Sequence, residues 1–162
     1  MNFGMYCGKV VTVPEVKLLP LDTDKQAYIC KFVLCTSRNS IDGIKYDFFQ
    51  CVAFDSAART ISERFSKGIK VTAVGKFVNH VFKDENGTRH LSDVLLVEQM
   101  EFGDNVTLPF VRNTDPKDLE QPVSSEIKLM DEMFEEAQNK GFVCLNENDY
   151  FDIAASNLVF DE

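Results

Sequence analysis

The fold is decided by one stretch of sequence, Lys45-Tyr46-Asp47-Phe48-Phe49-Gln50-Cys51-Val52-Ala53-Phe54. It is rich in aromatic and apolar residues, which is typical of a β-strand. Alternation along a strand places side chains on two opposite faces, Phe48, Gln50, Val52 and Phe54 on one and Phe49, Cys51 and Ala53 on the other. The second face is ordinary core material. The first face carries two rings with a polar residue between them, a surface on which flat rings could stack.

A helix is predicted directly after this strand, over residues 55–67. Asp55 or Ser56 can cap its start, and Gly68 can end it. Three apolar residues at helical spacing form its buried stripe: Ala58, Ile61 and Phe65. The segment is therefore predicted to be a short helix with one face in a core.

A further strand is predicted from Ile69 to Phe82, interrupted by Gly75, where a barrel strand could bend. A strand, a short helix and a bent strand are how the third and fourth strands of a five-stranded OB barrel are joined. The sequence therefore predicts an all-β OB-fold barrel with one short helix between strands three and four.

Several short motifs occur here in a characteristic order. They are Phe48-Phe49-Gln50-Cys51-Val52-Ala53-Phe54, Ala57-Ala58, Lys67-Gly68, Val71 and Val74-Gly75-Lys76, with Pro14-Glu15-Val16 upstream and Asp84-Glu85-Asn86-Gly87-Thr88-Arg89 downstream. In these motifs the chain resembles the bacterial and phage single-stranded DNA-binding protein family. The resemblance covers roughly residues 5–102 and leaves the C-terminal third unaccounted for.

The remaining strands of the barrel can be placed from turn signals. A first strand is predicted over residues 5–13, a second over 27–38 and a fifth over 89–102, with a loop around Pro20 and residues 22–24. Asp42-Gly43 and Asn86-Gly87 are predicted to be hairpin turns. The resemblance implies that Phe32 and Leu34 of the second strand point inward.

Charge divides the chain into two parts. Residues 1–108 contain 13 basic and 13 acidic residues, whereas residues 109–162 contain 4 and 13, so the whole net charge of −9 lies in the last third. We therefore predict an OB-fold domain over residues 1–105, a linker over 106–123 and an acidic tail over 124–162. Helical spacing within the tail predicts a helix over 125–140.

The composition indicates the cellular compartment and the role of the cysteines. No apolar run approaches the ~20 residues that span a bilayer, and no signal peptide is evident at the start. We expect a cytoplasmic protein, in a bacterium or a phage-infected cell. Cys30 and Cys35 could be two ligands of a metal site, but reduced cysteines acting as small apolar residues fit better.

A single strand of nucleic acid would lie across strands two and three of such a barrel. The resemblance places stacking rings at Phe48, Phe54 and Phe82. Further residues on or beside the same face could contact bases or phosphates: Lys31, Arg38, Gln50, Lys76, His80 and Arg89. Rings in a charged groove bind any sequence, because every base has a flat face, at ~1–3 kcal/mol per base.

The sequence departs from the family in two ways. Ser40 occupies a loop position that usually carries an aromatic residue. Residues 78–81, Val-Asn-His-Val, replace a stretch that is usually rich in arginine. Both departures predict weaker binding than is usual in the family.

The acidic tail also resembles the family in kind. The resemblance implies that a C-terminal tip, here Phe160, Asp161 and Glu162, docks replication and recombination proteins, and that the protein is a homotetramer or homodimer. The tail helix could be displaceable, or it could be a small helix packed permanently on the barrel. The sequence leaves these alternatives open.

These observations together predict a sequence-nonspecific single-stranded DNA-binding protein that acts in replication, recombination and repair. We expect no enzyme activity and no cofactor, because the sequence contains no nucleophile–base pair, Gly-rich phosphate loop or metal-ligand spacing. The alternative is an OB-fold adaptor for protein interactions, with weak or vestigial nucleic-acid binding.

Overall fold

The computed structural model describes residues 3–22, 25–103 and 124–144, residue 149 and residues 152–154. Its strands are β1 (Gly4–Val10), β2 (Glu15–Asp22), β3 (Lys25–Ser40), β4 (Gly43–Phe54), β5 (Lys70–Lys83) and β6 (Arg89–Phe102). Its helices are α1 (Asp55–Arg64) and α2 (Ser124–Asn139). The described part contains no helix that is long and apolar enough to cross a membrane.

Five of the strands close into a barrel. β1 pairs with β5, β5 with β6 and β3 with β4, all antiparallel, whereas β4 and β6 run parallel. The barrel closes where β3 returns to β1, through the pairs Lys9–Cys35 and Val10–Leu34. The predicted OB fold, with a helix joining the third and fourth barrel strands, is confirmed.

β2 is an additional strand, and the predicted loop around Pro20 is wrong. β2 pairs with β3 from Glu15 to Asp22, and the register shifts between Pro20 and Asp22. Because β2 lies at the edge of the sheet, the missing N–H of Pro20 leaves no gap in a central ladder. Of the predicted turn, residues 23 and 24 lie outside the described residues.

The barrel interior is an apolar cluster to which every barrel strand contributes. Its buried members include Val10, Phe32, Leu34, Cys51, Ala53, Val71, Ala73, Leu95 and Val97. The predicted α1 stripe of Ala58, Ile61 and Phe65 belongs to the same cluster. The inward positions expected for Phe32 and Leu34 are thus confirmed, and β3 turns its alternate side chains outward.

The start of α1 differs from the prediction. Phe54 precedes the helix in an extended conformation, and no side chain caps the N-terminus. Instead, the Asp55 carboxylate accepts a hydrogen bond from the backbone N–H of Tyr28 at 3.3 Å. The expected cap by Asp55 or Ser56 is therefore wrong. The helix also ends earlier than predicted, at Arg64.

Gly75 lies where β5 and β6 come unusually close. The register between the two strands shifts between Val74 and Gly75, so the predicted interruption of this strand is confirmed. A Cβ at position 75 would collide with the backbone carbonyl of Leu96. Only glycine permits this approach, which allows the long β5 strand to pair with both β1 and β6.

Candidate nucleic-acid interface

The outer side of β4 carries the row of residues predicted to face away from the core. Cys51 and Ala53 lie in the barrel interior, whereas Phe48 and Phe54 pack in clusters outside it. The alternation predicted from the sequence is therefore confirmed. We call Phe48, Gln50, Val52 and Phe54 the outer row.

Helix α2 covers the Phe48 end of the outer row. The contact is apolar, and we call it the α2 cluster: Val11, Val33, Cys35 and Met130, with Phe48, Met133, Phe134 and Phe142 packed against them. The Phe48 ring centroid lies 5.5 Å from that of Phe134 and 6.2 Å from that of Phe142. A base stacked on Phe48 would need the space that these two rings occupy.

Gln50 is also covered by the C-terminal segment. Its side-chain amide donates a hydrogen bond to the backbone carbonyl of Val143, just after α2. Gln50 is buried, so a base that bonds to its amide would have to replace the Val143 carbonyl.

A second C-terminal contact covers the Phe54 end of the outer row. Its members form the Ile153 cluster: Ile29, Val52, Phe82, Val94, Leu96 and Ile153, with Leu19, Phe54 and Val78 partly buried around them. Ile153 is only 2% exposed and Ala154 is fully buried. Phe54 and Phe82, both predicted to stack on bases, therefore pack in the same cluster as an apolar residue of the chain itself.

His80 holds a carboxylate rather than facing open solvent. Its Nε2 lies 2.9 Å from Asp149 Oδ1, and both residues are buried. The sequence predicted that His80 contacts a base or a phosphate. In the structure its Nε2 faces a carboxylate of the tail.

Cationic residues line the groove between α2 and the barrel. Lys31 and Lys67 lie in a cavity of about 440 Å³ that also reaches Gln50 and Phe134. Lys67 Nζ lies 2.7 Å from one Asp131 carboxylate oxygen and 2.9 Å from the other. The sequence offered no signal for Lys67 beyond the Lys67-Gly68 motif, because only the fold brings it to this groove.

The other predicted cations are spread more widely. Lys76 lies on the outer side of β5, where it pairs with Leu96 of the Ile153 cluster. Arg38 lies near the β3–β4 turn, where its Nε contacts Asp47 at 2.7 Å. Arg89 begins β6 at the other hairpin, opposite Lys83. Lys31 pairs with Val52, which is level with Lys76 across β6, so these two lysines flank the middle of the outer row. Phe48 lies under α2 at one end, and Phe54 and Phe82 lie together in the Ile153 cluster at the other. Phe160, Asp161 and Glu162 lie outside the described residues.

The cysteines do not form a site. Cys30 belongs to the barrel interior and Cys35 to the α2 cluster, so the two lie on opposite sides of β3 and cannot share a metal ion. Burial raises the pKa of the Cys30 thiol to about 12 and that of Cys35 to about 11. Both thiols therefore stay protonated and act as small apolar residues. No cluster of metal-ligating side chains occurs among the described residues.

Comparison with known proteins matches the barrel. Residues 1–103 match the model of the single-strand binding protein family. A protein described as a single-stranded DNA-binding protein, from Clostridium perfringens (strain 13 / Type A), is 24% identical over 105 residues, which are 65% of this chain and 67% of that relative. The family match ends one residue after β6, before α2 begins.

Proposed function

This chain belongs to the single-strand binding protein family, and we propose that its barrel binds single-stranded DNA without sequence preference and without enzymatic chemistry. The observation that supports this most directly is the outer row, with Phe48 and Phe54 facing outward from a complete barrel core. Bases would stack on the two rings, and Gln50 between them would bond to base edges.

Phosphates would be held by the cations beside the row. Lys31 and Lys67 line the groove between α2 and the barrel, and Lys76 lies level with Val52, because it pairs with Leu96 and Leu96 pairs with Val52. Binding would combine base stacking with the release of counterions from the phosphates. Because these cations are few, stacking would supply most of the affinity.

We further propose that the C-terminal segment competes with DNA for this face. It places Phe134 and Phe142 against Phe48, Asp131 against Lys67, and Asp149 against His80. The rings of the segment would occupy the positions of stacked bases, and its carboxylates would occupy the positions of phosphates. DNA would displace the segment and so expose Met130, Met133 and Phe134 of α2 to a partner protein of replication, recombination or repair.

The division of the chain remains part of this proposal. Residues 1–105 would be the binding domain, 106–123 the linker that allows release, and 124–162 the tail, whose tip at Phe160, Asp161 and Glu162 would contact partners. We also propose a homodimer or homotetramer acting in the cytoplasm of a bacterium or an infected cell.

One observation favours a second function, an OB-fold adaptor for protein interactions. The outer row is closed by tightly packed residues of the same chain, including the buried Ile153. If that closure were permanent, the face would not be available to DNA, and the surface of α2 would be the functional one.

Strand preference distinguishes the two functions. We expect full-length protein to bind an unstructured oligothymidine more tightly than a duplex of equal length, because paired bases cannot offer their faces to Phe48 and Phe54. The logarithm of the association constant should fall with the logarithm of salt by about 0.7 for each phosphate neutralised, which gives a shallow slope here. Fluorescence anisotropy with a labelled oligonucleotide measures both. A preference for duplex, sharp sequence selectivity or no binding would contradict the proposed function.

A further inference from the structure

The C-terminal segment leaves one end of the outer side of β4 open. Tyr46 and Ile44 continue the outer row beyond Phe48, because alternate residues of a strand share a face. Tyr46 is 44% exposed and Ile44 is 61% exposed. Phe134 of α2 and Phe142 after it cover Phe48, whereas the hairpin end of the row at Tyr46 and Ile44 stays exposed.

Beside this open end lies a second groove between α2 and the barrel, with a volume of about 590 Å³. Ile44 and Tyr46 line one side of it, Lys9 and Lys70 line another, and Met130 and Met133 of α2 form a wall. Its size falls within the ~300–1,000 Å³ of typical ligand sites. Unlike the groove at Lys67, it combines an exposed ring with cations while α2 is in place.

The two lysines are well placed to bind an anion. Lys9 and Lys70 are directly opposite each other in the β1–β5 pairing. Like charges directly opposite each other on neighbouring strands repel, and an anion beside both relieves the repulsion. Each lysine already has an interaction within the chain, so a phosphate arriving here would exchange one partner for another.

We propose that this groove is the entry site at which single-stranded DNA first contacts the closed protein, and the inference rests on the proposed function. One base stacks on Tyr46, and a neighbouring phosphate lies at Lys9 and Lys70. The next base along the strand is then beside Phe48, where it competes with Phe134 and Phe142. Release of α2 follows from this end, one contact at a time, instead of preceding the arrival of DNA.

The chemistry of the groove favours single-stranded DNA over other occupants. An acidic peptide would use Lys9 and Lys70 but has no need of a flat ring that continues the outer row. Duplex DNA has the phosphates, but its bases are stacked on one another and cannot reach Tyr46. Only a single strand uses the ring and both cations together.

The test is the association rate of a labelled oligothymidine with full-length protein, measured by stopped-flow fluorescence. Tyr46→Ala should lower the association rate constant roughly 5-fold or more, and Lys9→Gln with Lys70→Gln should lower it further at low salt. In a Met130→Asn background, where α2 is released beforehand, Tyr46→Ala should change the rate constant less than about two-fold, because Phe48 is then directly accessible. Val81→Ala, which removes an exposed apolar side chain from the other hairpin, should leave the rate constant unchanged in both backgrounds.

Two results would overturn the entry site. Tyr46→Ala could associate as fast as the wild type, or it could be slowed equally in both backgrounds, which would make Tyr46 an ordinary contact. Failure of the proposed function looks different, because neither the wild type nor Met130→Asn would then bind the oligonucleotide. Tyr46 is exposed, so each variant should keep the melting temperature of its background.

Discussion

Replacing Met130 with asparagine should tighten the binding of full-length protein to an unstructured oligonucleotide by roughly 10- to 100-fold. Met130 is only 3% exposed and is the buried residue that α2 contributes to the α2 cluster. Burying a side chain of this size contributes about 1.5–3 kcal/mol. If α2 and DNA compete for Phe48, that stabilisation of the closed form is subtracted from the binding free energy. Anisotropy titration at low salt gives the two affinities.

Val143→Asn is the matched control for this variant. It makes the same change from an apolar to a neutral polar side chain in the C-terminal segment, but Val143 is 42% exposed. Its backbone carbonyl, which accepts the bond from Gln50, is unchanged. We expect its affinity to stay within about two-fold of the wild type.

The Cys35 thiol gives a second readout of α2 release. Cys35 is buried in the α2 cluster together with Met130, and burial holds its pKa near 11. Release of α2 should expose this thiol and raise its rate of alkylation in Met130→Asn. If Met130→Asn instead lowers the melting temperature of the barrel and leaves the affinity unchanged, α2 is a permanent part of the fold.

Replacing Phe54 with alanine should have the largest effect in the opposite direction. We expect it to weaken oligonucleotide binding by ~1–3 kcal/mol, the value of one base–aromatic stack, while the protein stays folded. Phe54 lies at the end of the outer row and is partly exposed, so the barrel interior does not depend on it. Titration and a thermal melt measure the two properties on one sample.

Phe3→Ala is the control for the loss of a ring. Phe3 is an exposed phenylalanine just before β1, outside the outer row, and its removal should not alter affinity. If Phe54→Ala unfolds the protein, Phe54 is a core residue. If Phe54→Ala binds as tightly as the wild type, the assignment of the outer row as a stacking surface is incorrect.

The local parts of the fold follow from the sequence. Alternation in β4, the α1 stripe and the Asn86-Gly87 turn are each set by neighbours in the chain. Gly87, for example, has a φ of 78° and donates its N–H to the Asp84 carbonyl at 3.0 Å, as the turn signal predicts. Such features can be predicted from local sequence alone, without the tertiary contacts.

Two local predictions failed because pairing with β3 changed the outcome. Pro20 signals a loop, yet β3 offers a complete edge for pairing and the segment becomes β2. Asp55 is a good helix cap in isolation, but its carboxylate is taken by the Tyr28 backbone N–H. In each case the partner is on β3, and its position follows from the folded sheet rather than from the local turn or cap signal.

The covering of the candidate site could not be predicted from the sequence. Helical spacing gave the extent of α2, and the charge distribution showed an acidic tail. Neither indicates that Phe134 would lie on Phe48, 86 positions away in the sequence. Alternation places Phe48 on a strand face and helical spacing places Phe134 on a helix face. Only the folded structure shows that these two faces pack against each other.

Hydrogen–deuterium exchange of the full-length protein, with and without a saturating oligothymidine, tests the central claim most directly. The claim is that DNA and the C-terminal segment occupy the same outer row in turn. DNA should therefore slow exchange in β3 and β4 and speed exchange in α2, from Ser124 to Asn139, within the same sample. Slower exchange in β3 and β4 with α2 equally or better protected would contradict the account, because DNA and α2 would then be bound together.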